Sequence, residues 1–421
     1  MAKLALLGGT PVRTKPYMQW PHSDEQEVET VTEVIRSGKW FRYDGNKVEE
    51  FEKAFAKAHG TEYAIAVTNG TAALEIPLAA LGIGPGDEVI VPSYTFIATA
   101  TAVVVNGATP VFVDVQPDTL NIDPKCIEEA ITDKTKAVIP VHFAGFPCDM
   151  DEILRIAKKH NIYVIEDAAH AHGGEYRGKM LGSLGDVSGF SFQASKNMTS
   201  GEGGIITTNN VELAEKMFSR HSLGRLAGRP WYEHFIIGTN TRMTEMQAAI
   251  LLIQLSRLKR QTKERLINAK ILDNCINSFP EELKLMRPCD EDTKKRAYHL
   301  YMLRYLQGGA LADISRETFA KAMEAEGVSV NLGYGIPLYR QAMFSRIPWG
   351  SKQTVTYEEM YQPVVEEAVK NTLWIAQQAL VGDSSQVDDI AEAIDKIIKN
   401  ADELKGHDDT TCNCFPGLQL N

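Results

Sequence analysis

Ile162-Tyr-Val-Ile-Glu-Asp167 is a short β-branched run that ends on a carboxylate, and its neighbours on either side repeat its form. Upstream lie Ala64-Ile-Ala-Val-Thr68, Glu88-Val-Ile-Val91, Pro110-Val-Phe-Val-Asp-Val115 and Ala137-Val-Ile-Pro-Val141; downstream lie Val187-Ser-Gly-Phe-Ser-Phe192 and Gly204-Ile-Ile-Thr207. Helix-like segments begin near Gly70, Thr95, Asp123 and Asp149, while the stretch from Asp167 to Val187 is Gly-rich and reads as a loop. Strands alternating with helices signal an α/β domain with a mostly parallel sheet, here of seven strands. Because a helix is missing between the fifth and sixth runs, the last two strands are expected to pair differently from the first five.

Outside this block, Ser23 to Arg36 reads as a helix capped by Ser23-Asp-Glu-Gln26, and Asn46 to Ala58 as another. Residues 245 to 276 carry apolar positions at helical spacing and predict one long helix leaving the large domain. Leu300-Tyr-Met-Leu303 reads as a strand, Arg316 to Glu326 as a helix ending at Gly327, and Gln386 to Lys399 as an amphipathic helix. The expected division is an N-terminal segment with the large domain over 1–260, a smaller α+β domain over 261–405, and a tail over 406–421 without apolar periodicity, read as disordered.

The 421 residues carry 44 Lys plus Arg against 55 Asp plus Glu, a net charge of −11, so nothing draws the chain to nucleic acid or anionic lipid. The apolar runs fall far short of the roughly 20 residues that span a bilayer, and the N-terminus has no signal-peptide core; the expected compartment is the cytoplasm. Six Cys (126, 148, 275, 289, 412 and 414) lack paired spacing and read as reduced thiols. No metal site is assigned to Cys412-Asn-Cys414, and the Asn-x-Thr matches at Asn69 and Asn197 lack the export signal that glycosylation requires.

Two nucleotide-like patterns fail on context. Gly173 to Lys179 matches G-x-x-x-x-G-K, but Met180 follows where Mg²⁺ needs Ser or Thr, so it reads as a surface hairpin. Gly82-Ile-Gly84-Pro-Gly86 follows a helix and precedes a strand, the reverse of a dinucleotide loop, and reads as a turn. Asp167-Ala-Ala-His170-Ala-His172 offers a carboxylate and two imidazoles, a set that suits a divalent metal. A carboxylate at the end of an apolar strand needs a positive partner, and either a metal or a protonated heterocycle serves.

Lys196 bears on the choice. It follows a strand within Phe190-Ser-Phe-Gln-Ala-Ser-Lys196-Asn-Met, and its apolar neighbours predict a desolvated amine whose pKa falls towards the neutral form that attacks carbonyls, the environment of a Schiff-base lysine. One cofactor accounts for Lys196 and Asp167 together: pyridoxal phosphate needs a lysine for its aldehyde, a carboxylate for its ring nitrogen, a phosphate cup and a flat partner for its ring. Asn69-Gly70-Thr71-Ala72 lies where a strand turns into a helix and can hold a phosphate; Phe96 can stack on the ring; the Ser191 hydroxyl can reach the same phosphate.

These residues resemble the DegT/DnrJ/StrS-type aminotransferases, pyridoxal-phosphate enzymes that aminate keto-sugar nucleotides and related cyclic ketones. The resemblance runs through Val67-Thr-Asn-Gly-Thr-Ala72, Val91-Pro-Ser-Tyr-Thr-Phe-Ile97, Ile165-Glu-Asp-Ala-Ala-His-Ala-His-Gly173, Phe190 to Asn197, Gly201-Glu-Gly-Gly-Ile205 and Gly238-Thr-Asn240-Thr-Arg242. It implies a fold-type-I (aspartate aminotransferase-like) architecture and a homodimer with shared active sites. On this sequence it makes Lys196 the lysine bound to the cofactor's aldehyde, Asp167 the partner of the ring nitrogen and His170 a neighbour of the phenolic oxygen. Phe96 becomes the stacking aromatic, Gly70, Thr71 and Ser191 phosphate contacts, and Asn240 a phosphate contact from the neighbouring subunit.

Nucleotide-sugar members commonly carry Gln where His170 stands; the wording here is more like the branch of aminohydroxybenzoate synthase and the cyclitol aminotransferases. The expected activity moves an amino group from L-glutamate or L-glutamine, through the pyridoxamine phosphate form, to a keto-sugar or keto-cyclitol in amino-sugar, antibiotic or cell-surface glycan biosynthesis. Arg225 and Arg242 are candidate clamps for a carboxylate or phosphate. The alternatives are a synthase-like dehydratase or aromatase, which the lysine at 196 argues against where family dehydratases carry His, and a cofactor-binding regulator or dimeric scaffold without turnover.

Overall fold

The computed structural model describes residues 3–286, 293–346 and 357–407; Cys289, Cys412, Cys414 and the tail from residue 408 on lie outside them. All seven expected strands are present, as β1 (Tyr63–Val67), β2 (Glu88–Pro92), β3 (Thr109–Val113), β4 (Thr135–Val138), β5 (Tyr163–Asp167), β6 (Val187–Ser191) and β7 (Gly204–Thr208). They form one sheet in the order β1-β7-β6-β5-β4-β2-β3.

The strands read as continuous apolar runs because both faces are covered, and the two-residue period sorts alternate side chains to opposite sides. Ile65, Val67, Val89, Val91 and Ile165 join one core. Ala66, Ile90, Val164, Phe190 and Phe192 join the other. On the first side pack α3 (Ala72–Ala80), α4 (Ala98–Val105) and α7 (Val211–His221); on the second, α2 (Lys47–His59), α5 (Pro124–Ala130), α6 (Met150–His160) and part of α8 (Glu245–Ile276).

The expectation for the last two strands needs correction. β6 runs parallel to β5, and only β7 reverses, antiparallel to both β6 and β1. The connection from Asp167 to Val187 is long enough to bring the chain back in the same direction without a helix, whereas the shorter link from Ser191 to Gly204 brings it back reversed. Within the longer link, Glu175–Tyr176 and Lys179–Met180 form the expected hairpin around Gly178, extended by Lys294–Lys295.

The first helix, α1 (Glu25–Ser37), starts one residue later than its sequence suggests. Asp24, not Ser23, caps it, with the Glu27 carboxylate returning to the Asp24 N–H. A tertiary ion pair fixes this register: Glu27 is buried and takes both Arg257 nitrogens of α8 at 2.6 and 2.9 Å and Gln254 at 2.8 Å. Replacing Glu27 by Gln leaves a buried guanidinium short of charge, partly offset by Asp24 at 2.9 Å, and is expected to cost about 2–4 kcal/mol. Urea denaturation monitored by circular dichroism checks this.

Helix α8 runs unbroken through residue 260, with Ala248, Leu251 and Leu258 in the second core and Ala269, Leu272 and Ile276 in a third. That third core joins an antiparallel sheet, β8 (Leu283–Leu285), β9 (Leu300–Tyr305) and β10 (Thr372–Ala376), to α9 (Arg316–Ala325) and α11 (Ser385–Lys399). Leu338, Phe344 and Tyr357 pack instead in the first core, together with Val365 of α10 (Pro363–Asn371), and the Tyr357 hydroxyl donates to the Pro110 carbonyl at 2.5 Å. No helix among the described residues is long and apolar enough to cross a membrane.

Candidate active site

The ends of β5 and β6 and the start of α3 open onto one cavity of about 770 Å³. Gly70, Thr71, Phe96, Asp167, His170, Ser191 and Lys196 all line it. Asn240 does not: it is exposed on the arm that follows α7, bridged through its backbone to Ser222.

Asp167 ends β5 and is buried, 5% exposed, at the cavity wall. Its Oδ2 accepts from the Thr99 hydroxyl at 2.8 Å and its Oδ1 from the Ala169 N–H at 3.2 Å, and it makes no ion pair among the described residues. Burial pushes its carboxyl above the usual range, while Thr99, the Ala169 amide and Lys196 pull it back. The neighbouring letter has the opposite surroundings. Glu166 points to the other face, where it takes five donors: His142 Nε2 at 2.8 Å, the N–H groups of Gly182, Leu184 and Gly185 at 3.0, 2.7 and 2.7 Å, and the Ser188 hydroxyl at 2.9 Å. Burial alone would raise its pKa, but His142 and the loop amides outweigh it and bring it down.

Lys196 sits on the link between β6 and β7 and lines the cavity, whereas Phe190, Phe192 and Met198, expected from the sequence to desolvate it, pack into the second core and do not line the cavity. Its residue is half-buried, and desolvation of the amine lowers its pKa to about 8 against the opposing pull of Asp167. At pH 7 a pKa near 8 leaves about one amine in ten unprotonated, against a few in ten thousand for an ordinary lysine.

His170 Nδ1 accepts from the Ala144 N–H at 3.2 Å, so in the neutral ring Nε2 carries the proton. Burial, then the charge of Lys196, keeps it neutral. Its ring stands 4.2 Å from that of His299, a cavity residue whose Nδ1 faces the Asn197 oxygen at 3.3 Å. Asn197 itself is buried and donates to the Ala297 carbonyl at 2.7 Å, which removes it as a glycosylation acceptor. Asp167, His170 and His172 do not converge as ligands; among the described residues no group of three or more His, Cys, Asp or Glu is placed to hold a metal.

The corner beneath α3 is built by close approach. A Cβ on Gly70 would come within 2.6 Å of Ser191 Cβ, and one on Gly204 within 2.3 Å of the Asn69 carbonyl oxygen. The Asn69 side chain accepts from the Ala72 N–H at 2.9 Å, holding the first turn so that its free backbone N–H groups meet the cavity, an anion-binding geometry. Gly70→Ala must displace Ser191, and its expected effect is a tenfold to hundredfold loss of affinity for a phosphate-bearing ligand, on the order of 1–3 kcal/mol. Equilibrium dialysis against pyridoxal phosphate measures it.

Phe96 lines the cavity yet remains 57% exposed, while Tyr94 two residues earlier turns inward against Phe143 and Tyr334. Tyr334 and Trp374, rings 4.9 Å apart, also line the cavity, as do Glu75, Gln193 and Glu202. Sequence reasoning assigned none of these side chains, nor His299, to the site. His299 had one signal, a histidine heading the apolar strand at Leu300, and Gln193 and Glu202 lie within stretches already quoted for the resemblance, whereas only the tertiary fold brings Tyr334 and Trp374 to the cavity.

Residues 21–395 match the model of the DegT/DnrJ/EryC1/StrS aminotransferase family. The chain belongs to this family. It is 40% identical over 394 residues to the spore coat polysaccharide biosynthesis protein SpsC of Bacillus subtilis, covering 91% of this chain and 97% of that one. It is 35% identical over 425 residues to the L-glutamine:2-deoxy-scyllo-inosose aminotransferase of Streptomyces paromomycinus, covering 96% and 99%.

Among solved structures, the aminotransferase from Psychrobacter cryohalolentis superposes with a TM-score of 0.84 at 34% identity, covering 91% of this chain and 99% of that one. The putative sugar aminotransferase Spr1654 of Streptococcus pneumoniae in its PLP form superposes with a TM-score of 0.79 at 28% identity, covering 92% and 99%. The fold is therefore the fold-type-I aminotransferase architecture expected from the sequence.

Proposed function

We propose that the protein is a pyridoxal-phosphate-dependent aminotransferase that carries an amino group from L-glutamine or L-glutamate to a keto-cyclitol or keto-sugar, working as a homodimer. The observation that carries this reading is that a desolvated lysine and a buried carboxylate with no ion pair among the described residues line one cavity, beside a helix start shaped for phosphate. The residues fit the cofactor: Lys196 for its aldehyde, Asp167 for its ring nitrogen, His170 for its phenolic oxygen, Phe96 for its face, and Gly70, Thr71 and Ser191 for its phosphate. When bound, pyridoxal phosphate supplies the electron sink that makes a donor's α-proton acidic.

The chain's own groups do the rest. Lys196 Nζ, in its unprotonated fraction, takes the proton from the α-carbon of the donor and returns it on the same face of the site. Asp167, desolvated and anchored by Thr99, favours a proton on the atom it faces, because a buried anion gains most from a cation. His170 Nε2–H offers a hydrogen bond in a fixed direction, since Ala144 occupies Nδ1.

An apolar surface supports the dimer. Trp231, Tyr232 and Ile237 on the arm are 56, 86 and 84% exposed, and Trp40 and Phe41 lie exposed close by, where Arg242 covers the Phe41 ring at 5.3 Å. Tyr43 bonds Ser222 at 2.8 Å and packs on Trp231, joining the two segments into one face suited to a second copy, whose cavity Asn240 would then reach. Arg225 and Arg242 also lie on this arm; they do not line the chain's own cavity and make no ion pair among the described residues.

The test is spectroscopic. Protein loaded with pyridoxal phosphate is expected to be yellow, to bleach on addition of L-glutamine or L-glutamate, and to recover with an inosose-type ketone or a keto-sugar. Colour that no amino donor bleaches overturns the reading in favour of a sensor, and failure to take up the cofactor overturns it entirely.

A further inference from the structure

Arg265 of α8 is fully buried, and among the described residues no carboxylate pairs with it. Its Nε and Nη2 both donate to Gln377 Oε1, the first at 3.0 Å, and its Nη1 has no partner among the described residues. A desolvated cation without a paired carboxylate is among the most costly groups a core can hold. The guanidinium carbon lies 5.6 Å from the centre of the Trp20 ring, and Trp20 Nε1 donates to the main-chain carbonyl of Lys196 at 3.1 Å.

Burial, then the neighbouring His59 for His172 and His170 for His299, keeps both rings neutral, with Lys196 and Arg265 adding smaller contributions. Lys196 needs support, because the link that carries it has no helix or strand between Ser191 and Gly204. On its amide side Lys196 is tied to the Gln193 carbonyl at 2.9 Å, and on its carbonyl side to Trp20.

We propose that Trp20 and Arg265 are positioning residues for Lys196: the guanidinium fixes the indole, and the indole N–H fixes the Lys196 carbonyl, so that the side chain enters the cavity in one direction. This rests on Lys196 as the residue that takes up the cofactor. It assigns a purpose to the N-terminal segment, which otherwise lies outside the site, and explains why a charged fork occupies a place where a leucine or methionine would fit: a planar guanidinium held by Gln377 can stack on an indole without sliding.

The test uses Trp20→Phe, which keeps a ring and loses the N–H, alongside Arg265→Met and Arg265→Lys. In the cofactor-free protein, hydrogen exchange of the amides across residues 193–200 is expected to rise about tenfold in Trp20→Phe, as for loss of one local hydrogen bond, with α8 unchanged. In the loaded protein, the induced circular dichroism of the cofactor band is expected to fall by about half or more, and kcat about tenfold, with KM for the amino donor within about twofold. Arg265→Lys should recover part of what Arg265→Met loses.

Exchange, dichroism and kcat equal to wild type in Trp20→Phe would overturn the proposal. So would a loss in Arg265→Met that appears only as a lower melting temperature with raised exchange along all of α8. Borohydride trapping on wild-type protein runs in parallel: absence of label at Lys196 there defeats the proposed function, and this inference with it, whereas a labelled wild type whose exchange, dichroism and kcat are matched by Trp20→Phe defeats this inference alone.

Discussion

Lys196→Ala is expected to abolish borohydride-trapped cofactor and to lower turnover by four orders of magnitude or more, because one substitution removes both the covalent attachment and the general base. The same side chain gives a pH signature in wild type. With its amine lowered to about 8 by burial, the cofactor-free protein should react with pyridoxal phosphate at a rate that climbs between about pH 7 and 9 and then levels, since the neutral form is the nucleophile. Stopped-flow absorbance over that range, followed by borohydride reduction and peptide mapping, measures both. A climb centred near the ordinary lysine value would mean that the cavity wall does not desolvate the amine.

Asp167→Asn should separate binding from catalysis. The amide is nearly isosteric and can still accept from Thr99, so cofactor retention is expected to change by less than about tenfold. Turnover is expected to fall about a thousandfold, on the order of 4 kcal/mol, because a neutral amide no longer favours a proton on the group it faces. Single-turnover bleaching with L-glutamine, compared with cofactor content by alkaline release, distinguishes the two quantities. The melting temperature of cofactor-free Asp167→Asn should not fall, since burying a neutral side chain there costs less than burying a carboxylate whose pKa is already raised.

What could be read in the letters is what depends on local chemistry. The seven runs announced themselves because strands covered on both faces stay apolar throughout, and Lys196 and Asp167 stood out because each is a charge placed where the neighbouring sequence is apolar. The direction of β6 was not legible: nothing in Gly173 to Gly185 says whether a helix-free link turns once or twice, and the answer is set by which sheet edge is open. The cap at Asp24 was misassigned by one residue because Arg257, far along the chain, decides it. His299, Trp374 and Trp20 were missed for the same reason: each meets the site from another segment. Asn240 was assigned only through family resemblance, and its own chain gives it no cavity to serve.

Glu166 and Asp167 are adjacent letters with inverted obligations. One is saturated by His142, Ser188 and three loop amides and never meets anything but protein; the other is left short of a partner by its own chain. A survey of variants scored only by activity would mark both positions as intolerant and invite a single explanation. Thermal shift of the cofactor-free protein would part them: loss at Glu166 should unmake the loop that closes over it, whereas loss at Asp167 should leave a sound fold with no use for its coenzyme.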